Sequence, residues 1–229
     1  MTQSTIAIPV FPGTNCEADV AHAVSLFGGN AKTIYHTETN LEGVDGVIIP
    51  GGFAHGDYLR TGAIARFSPV MAEIEKLSRK GVPVLGICNG FQILCEAKML
   101  PGALQKNEGM KFICKDTELE VVSSSPITSR LSKGAKLIIP INHFEGNYTC
   151  DDSTYENLVI NNQIVLRYAN NPNGSRDSIA GICNERRNVV GLMPHPERAS
   201  ESILGNADGA EMLASFMDAV VSSRMALPA

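Results

Sequence analysis

The chain has 229 residues, 44% of them hydrophobic, and a formal net charge of −5. That length is enough to bury a substantial core, and the acidic balance excludes a nucleic-acid footprint or a polybasic membrane patch. No apolar stretch is long enough to span a bilayer, and the opening Met1-Thr2-Gln3-Ser4 lacks the basic segment of a signal peptide, so none is expected.

Thr5 to Val10 reads as a short apolar strand that ends before Pro12-Gly13. Asn15 then opens a helical pattern with Val20, Ala23, Val24 and Phe27 on one face, stopped by Gly28-Gly29. Ala31–Tyr35 and Val47–Ile49 are the next two strands, the latter running into Pro50-Gly51-Gly52. A helix is predicted from Ile64 to Ser78, a fourth strand over Val82–Ile87, a turn at Cys88 and a helix to Ala97. Short apolar strands alternating with helices predict parallel βαβ units in a doubly wound sheet. The second half changes character. Leu119–Val122, Leu137–Ile141, Ile164–Tyr168, Ile179–Cys183 and Val189–Met193 are strands with short, turn-rich links such as Asn171-Pro172-Asn173-Gly174. They predict a mixed sheet with an antiparallel extension. A last helix over Gly209–Ser222 is expected to bury Met212, Leu213, Phe216, Met217, Val220 and Val221. No repeat or linker appears, so residues 1–229 are read as one domain.

Ligands of such sheets bind beyond the carboxyl ends of the parallel strands. Three turns fall there: Phe11 to Asn15, Pro50 to Phe53, and Cys88 to Gly90. The third lies in Gly86-Ile87-Cys88-Asn89-Gly90, the thiol counterpart of the G-x-S-x-G elbow, where a nucleophile projects from a tight strand-to-helix turn. The helix N-terminus beneath it favours a thiolate. By itself the motif marks a buried packing thiol more often than a nucleophile. The six cysteines show no CxxC spacing, which argues against a disulfide framework or structural zinc, and no metal site is expected. Met193-Pro194-His195-Pro196-Glu197-Arg198 offers a base and its orienter. In extended backbone positions i and i+2 share a face, so the Glu197 carboxylate is placed to reach the His195 ring. The backbone N–H of Asn89 and one from Gly51-Gly52 are candidate oxyanion donors. There is no P-loop and no G-x-G-x-x-G, so no nucleotide cofactor is expected on this chain. His55 and His143 are candidates to line the cleft.

Taken together, Cys88, His195 and Glu197 resemble the class I, triad-type glutamine amidotransferases. FPGTNCEAD (11–19), PGGFAHGDYLRTGAIARFSPVM (50–71), GICNGFQIL (86–94), NPNGSRDSIAGICNE (171–185) and GLMPHPERA (191–199) carry the resemblance along essentially the whole chain. Within the family the likeness is to glutaminase subunits of purine biosynthesis. The resemblance implies a flavodoxin-like α/β domain, a mostly parallel central sheet and a cytoplasmic location. It implies that Cys88 attacks the glutamine side-chain amide to give a thioester, that His195 moves protons, and that Glu197 orients it. Gly52 and Asn89 match the oxyanion-hole positions, and Gln92 a position near bound glutamine, with His143 a further candidate contact. It also implies a large synthetase partner that holds ATP and magnesium, and a third small subunit. Tyr58, Arg60 and Arg198, beside the site loops, are expected to face that partner. Ala54-His55 and Phe144 depart from the usual family pattern without touching the triad. A stand-alone cysteine hydrolase or peptidase and a non-catalytic regulatory chain are the alternatives, the last opposed by the intact triad.

Overall fold

A computed structural model describes residues 3–226; Met1 and Thr2, half of the stretch read against a signal peptide, lie outside the described residues. The elements in order are β1 (Thr5–Val10), α1 (Glu17–Leu26), β2 (Asn30–Tyr35), β3 (Gly46–Ile49), α2 (Pro69–Arg79), β4 (Val84–Ile87), α3 (Asn89–Glu96), β5 (Ala103–Gln105) and β6 (Ile113–Val121). They continue with β7 (Lys136–His143), β8 (Asn147–Thr149), α4 (Asp152–Ile160), β9 (Ile164–Tyr168), β10 (Ile179–Cys183), β11 (Val189–Leu192) and α5 (Ala210–Ala226).

One nine-stranded sheet runs in the order β2-β1-β3-β4-β11-β10-β9-β6-β7. From β2 to β11 the neighbours are parallel, and from β11 to β7 they are antiparallel. The expected parallel sheet with an antiparallel extension is present. β3, β4 and β11 are buried along their whole length, which is why they read as unbroken apolar runs. β7 instead alternates, burying Leu137, Ile139, Ile141 and His143. That period of two carries His143 to the same face as the core. β5 and β8 form a separate small antiparallel pair. Among the described residues no helix is long and apolar enough to cross a membrane.

Three departures have local causes. The helix predicted from Ile64 begins at Pro69, after a 3₁₀ turn at Ala65–Phe67. Ser68 precedes proline and is extended (φ −64, ψ 139), because the proline ring disfavours the α conformation one residue before it. Helix α4 escapes periodicity because it buries one side chain, Leu158; its signal is the N-cap, Asp151 accepting from the Thr154 N–H at 2.7 Å. Val221 is 45% exposed and lies outside the buried face of α5.

Candidate active site

β4 climbs to Ile87 and the chain turns at Cys88 with φ 51 and ψ −106 before α3 begins. A non-glycine residue in such a conformation stores roughly 1–3 kcal/mol of strain, which the surroundings must hold in place. They do so by close packing. A Cβ on Gly90 would lie 2.1 Å from the Ile49 carbonyl oxygen, and one on Gly86 would lie 2.7 Å from that of Gly90. Only glycines let α3 approach β3 and β4 this closely. The Cys88 N–H donates to Leu192 O at 2.8 Å, tying the elbow to β11, and its thiol lies 3.7 Å from Asn142 O. Cys88 is 5% exposed.

His195 follows β11, and its N–H is held by Pro140 O of β7 at 2.9 Å. Its Nδ1 lies 2.6 Å from Glu197 Oε1, both side chains being buried. The route differs from the extended chain expected from the sequence. Glu197 sits in a 3₁₀ turn, Pro196–Ala199, and the fixed φ of Pro196 starts that turn. The contact is made all the same. Burial alone would push the imidazole down; the Glu197 carboxylate, and next the Cys88 sulfur, outweigh it and raise the ring to about 10. Nε2 makes no hydrogen bond of ordinary geometry among the described residues, which leaves it free for proton traffic.

Gly51 joins the parts. A Cβ there would lie 2.9 Å from His195 Cε1, 3.1 Å from Cys16 Sγ and 3.5 Å from Cys88 Cβ. The turns after β1, β3 and β4 and the segment after β11 therefore converge on one hydrogen-sized space. Gly52 forms an isolated antiparallel bridge with Thr14. The Asn89 N–H opens α3, where the first N–H groups have no acceptor within the helix.

Three comparisons bear on this geometry. Residues 3–218 match the family model of the CobB/CobQ-like glutamine amidotransferase domain. The chain belongs to the glutamine amidotransferases. It is 50% identical over 213 residues to a Rubrobacter xylanophilus protein named phosphoribosylformylglycinamidine synthase subunit PurQ, covering 93% of this chain and 97% of the relative. Among solved structures it is similar to a chain of PurLQS from Thermotoga maritima, with TM-score 0.88 and 41% identity over 95% of this chain and 99% of that one. A Thermoplasma acidophilum protein named for GMP synthase shares the fold alone, with TM-score 0.71 and 18% identity over 99% and 98% of the two chains.

In this amidotransferase the Cys88 thiol opens into a cavity of about 140 Å³ whose walls include Gly52, Asp57, Gln92, His143 and Glu145. A larger cleft of about 660 Å³ lies by Ser78, Lys98 and Asn184, near the opposite ends of β4 and β11, and has no cysteine or histidine in its lining. Gln92 and Asn89 brace the wall. Asn89 Oδ1 accepts from the Ala54 N–H at 3.0 Å, Asn89 Nδ2 donates to Gln92 Oε1 at 2.8 Å, and Gln92 Nε2 donates to Glu145 O at 2.5 Å. His143 lines the cavity; His55 packs instead against His36 and Phe11.

Tyr58 is 71% exposed. Arg60 is exposed but bidentate to Glu96 at 2.7 and 2.8 Å. Arg198 is half-buried and turned inward, donating to Cys16 Sγ at 3.1 Å and Asp19 at 3.3 Å. Cys95 is buried inside α3, with its thiol toward Pro101 O.

Sequence reasoning placed the turn after β1 at the site but passed over two residues. Cys16 is one. Its ligating atom and those of His195 and Glu197 all lie within 4.8 Å of one another. Three such donors invite the thought of a metal. Two of them, however, are committed to each other at 2.6 Å, and the Arg198 cation sits on the third. Burial holds the Cys16 thiol up at about 12, partly offset by Arg198, so it stays neutral beside the pair. Its signal was position: the residue entering the helix after β1. The other is Asp57, in the Gly51–Gly62 loop.

Proposed function

We propose that this chain is the glutaminase subunit of a phosphoribosylformylglycinamidine synthase. It hydrolyses glutamine to glutamate and ammonia and supplies the ammonia to an ATP-dependent large subunit of de novo purine biosynthesis. The observation that carries the reading is the buried His195–Glu197 pair, 2.6 Å apart, beside a cysteine held at positive φ. The 50% identity to a protein of that name supports the choice of pathway.

In this reading Cys88 Sγ attacks the side-chain amide carbon while its proton rests on His195 Nε2. The oxyanion is received by the N–H groups of Asn89 and Gly52, each worth about 10²–10³ in rate. Collapse returns the proton to the leaving nitrogen and releases ammonia, leaving a glutamyl thioester. Water then attacks the thioester, His195 takes its proton, and glutamate leaves. Glu197 fixes the ring orientation and stabilises its charged form. Gln92 and His143 contact the substrate. ATP and magnesium belong on the synthetase partner, a third small subunit completes the assembly in the cytoplasm, and Tyr58 and Arg60 face the partner. Arg198 belongs with them in sequence position, but its contacts give it a second task in holding Cys16.

The test is Cys88→Ala in the reconstituted complex. Glutamine-dependent amidine synthesis should be abolished while ammonium-dependent synthesis persists. Retained glutamine dependence would overturn the proposal.

A further inference from the structure

Glu197 and Arg198 are neighbours in sequence and opposite in charge, yet they form no ion pair among the described residues. Glu197 Oε1 is committed to His195 Nδ1 at 2.6 Å, while Oε2 is buried without a hydrogen-bond partner. A guanidinium close by is the natural donor for such a carboxylate oxygen. Cys16 stands in the way. Its sulfur and the ligating atoms of His195 and Glu197 all lie within 4.8 Å of one another. The same sulfur accepts from Arg198 Nη2 at 3.1 Å, and Asp19 Oδ2 accepts from Arg198 Nε at 3.3 Å. Cys16 is itself fixed from two sides. Its N–H donates to Gly51 O at 3.3 Å and its thiol to Asn15 Oδ1 at 3.1 Å. The side chain is 2% exposed, and burial holds the thiol up at about 12, so it adds no charge of its own at neutral pH.

We propose that Cys16 is a positioning residue for the catalytic pair: a small uncharged spacer that holds the Arg198 guanidinium off the Glu197 carboxylate, so that the carboxylate serves His195 alone. This rests on the glutaminase reading and adds to it a residue that touches no substrate. The physical reason lies in what Arg198 cannot do. A guanidinium does not lose its proton, so only its position limits its effect on a carboxylate. Arg198 already feels the Glu197 charge from where it stands. In direct contact it would offer a two-pronged set of donors to both carboxylate oxygens, drawing Glu197 from the ring and cancelling the charge that supports the imidazolium. A thiol sulfur is a weak acceptor. It gives the guanidinium a resting place without competing for the proton on His195. The titratable groups that face His195 are Glu197 on its own turn, Cys88 at the start of α3, Cys16 before α1 and His143 on β7.

The experiment is a double-mutant cycle in the partner-reconstituted glutaminase assay, with ammonium-dependent synthesis as the control for assembly. Cys16→Ala removes a single sulfur atom, and a thermal melt confirms that the fold is kept. It should lower kcat for glutamine by about 10–100-fold and leave KM within about threefold. The alkaline limb of its pH–kcat profile should move down by about one pH unit, because a carboxylate shared with Arg198 supports the charged ring less. In an Arg198→Gln background the same truncation should cost less than about threefold, since the intruding cation is gone. Cys16→Ser keeps a small neutral acceptor for the guanidinium and should stay within about threefold of wild type. Loss of packing alone predicts none of this. An equal cost of Cys16→Ala in both backgrounds, an unmoved alkaline limb, or a serine variant as slow as the alanine one overturns the spacer. Failure of the glutaminase reading looks different: Cys88→Ala would then leave glutamine turnover intact.

Discussion

Glu197→Gln isolates what the carboxylate beside His195 does. The change is nearly isosteric and can keep a hydrogen bond to Nδ1, so geometry is disturbed little. The charge is lost. In the native protein the ring is raised from its ordinary 6.5 to about 10 although burial opposes it. The net rise favours the charged imidazole: the attraction of Glu197 and the Cys88 sulfur together exceeds the cost of burial. Without Glu197, burial is opposed by Cys88 alone, and the charged ring that must accompany thiol attack becomes costly. An amide can also donate to Nδ1, which would trap the wrong tautomer. Glutamine-dependent kcat should fall by about 10²–10⁴-fold, while ammonium-dependent synthesis by the complex stays unchanged. A second readout follows from linkage. A ring raised in the folded state contributes stability that is full below about 6.5 and is lost as pH rises toward about 10. Urea melts between pH 7 and 9.5 should therefore show a shallower alkaline decline in Glu197→Gln than in wild type. A glutamine-dependent kcat within about threefold of wild type, less than 1 kcal/mol in barrier, would refute the reasoning.

Gly90→Ala should destabilise the fold by about 2–4 kcal/mol and abolish glutaminase activity, because its Cβ meets backbone at 2.1 Å rather than a movable side chain; chemical denaturation checks this, and a loss under about 0.5 kcal/mol would contradict it. His143 is lowered to about 4 by burial and then by the His195 charge. Its unfolded ring takes up a proton from about pH 6.5 downward while the folded ring does not, so stability should fall by roughly 3 kcal/mol between pH 6.5 and 4. The wild-type-minus-His143→Gln difference in urea stability at pH 7 and pH 5 measures this apart from Asp57, whose raised carboxyl acts in the opposite sense. Cys16, held near 12, should resist iodoacetamide at pH 8; peptide mapping that found it alkylated in the folded protein would place it in a different environment from the one described.

Much of this site was legible because its parts obey local rules. Gly86 and Gly90 around Cys88 announce a strand-to-helix elbow, since only glycine permits that backbone approach. The apolar runs of β3, β4 and β11 announce doubly buried strands, and Pro194 and Pro196 frame a histidine and a glutamate two residues apart. Other features follow from contacts between segments far apart in the chain. Nothing near Cys16 says that it will lie against His195 and Glu197, because that depends on the β1 and β11 ends meeting over Gly51. Nor does the Gly51–Gly62 loop reveal that Asp57 will turn onto the same cavity as Glu145 and His143. That outcome depends on positive backbone angles, stabilised by tertiary packing, and on a strand register that buries His143. The short helix α4 and the β5–β8 pair bury too little to leave a periodic trace. The nucleophile, its base and the sheet that carries them are written in local pattern. The neutral thiol beside the base and the cavity that gathers Asp57, Gln92 and His143 around Cys88 exist only once distant turns are brought together.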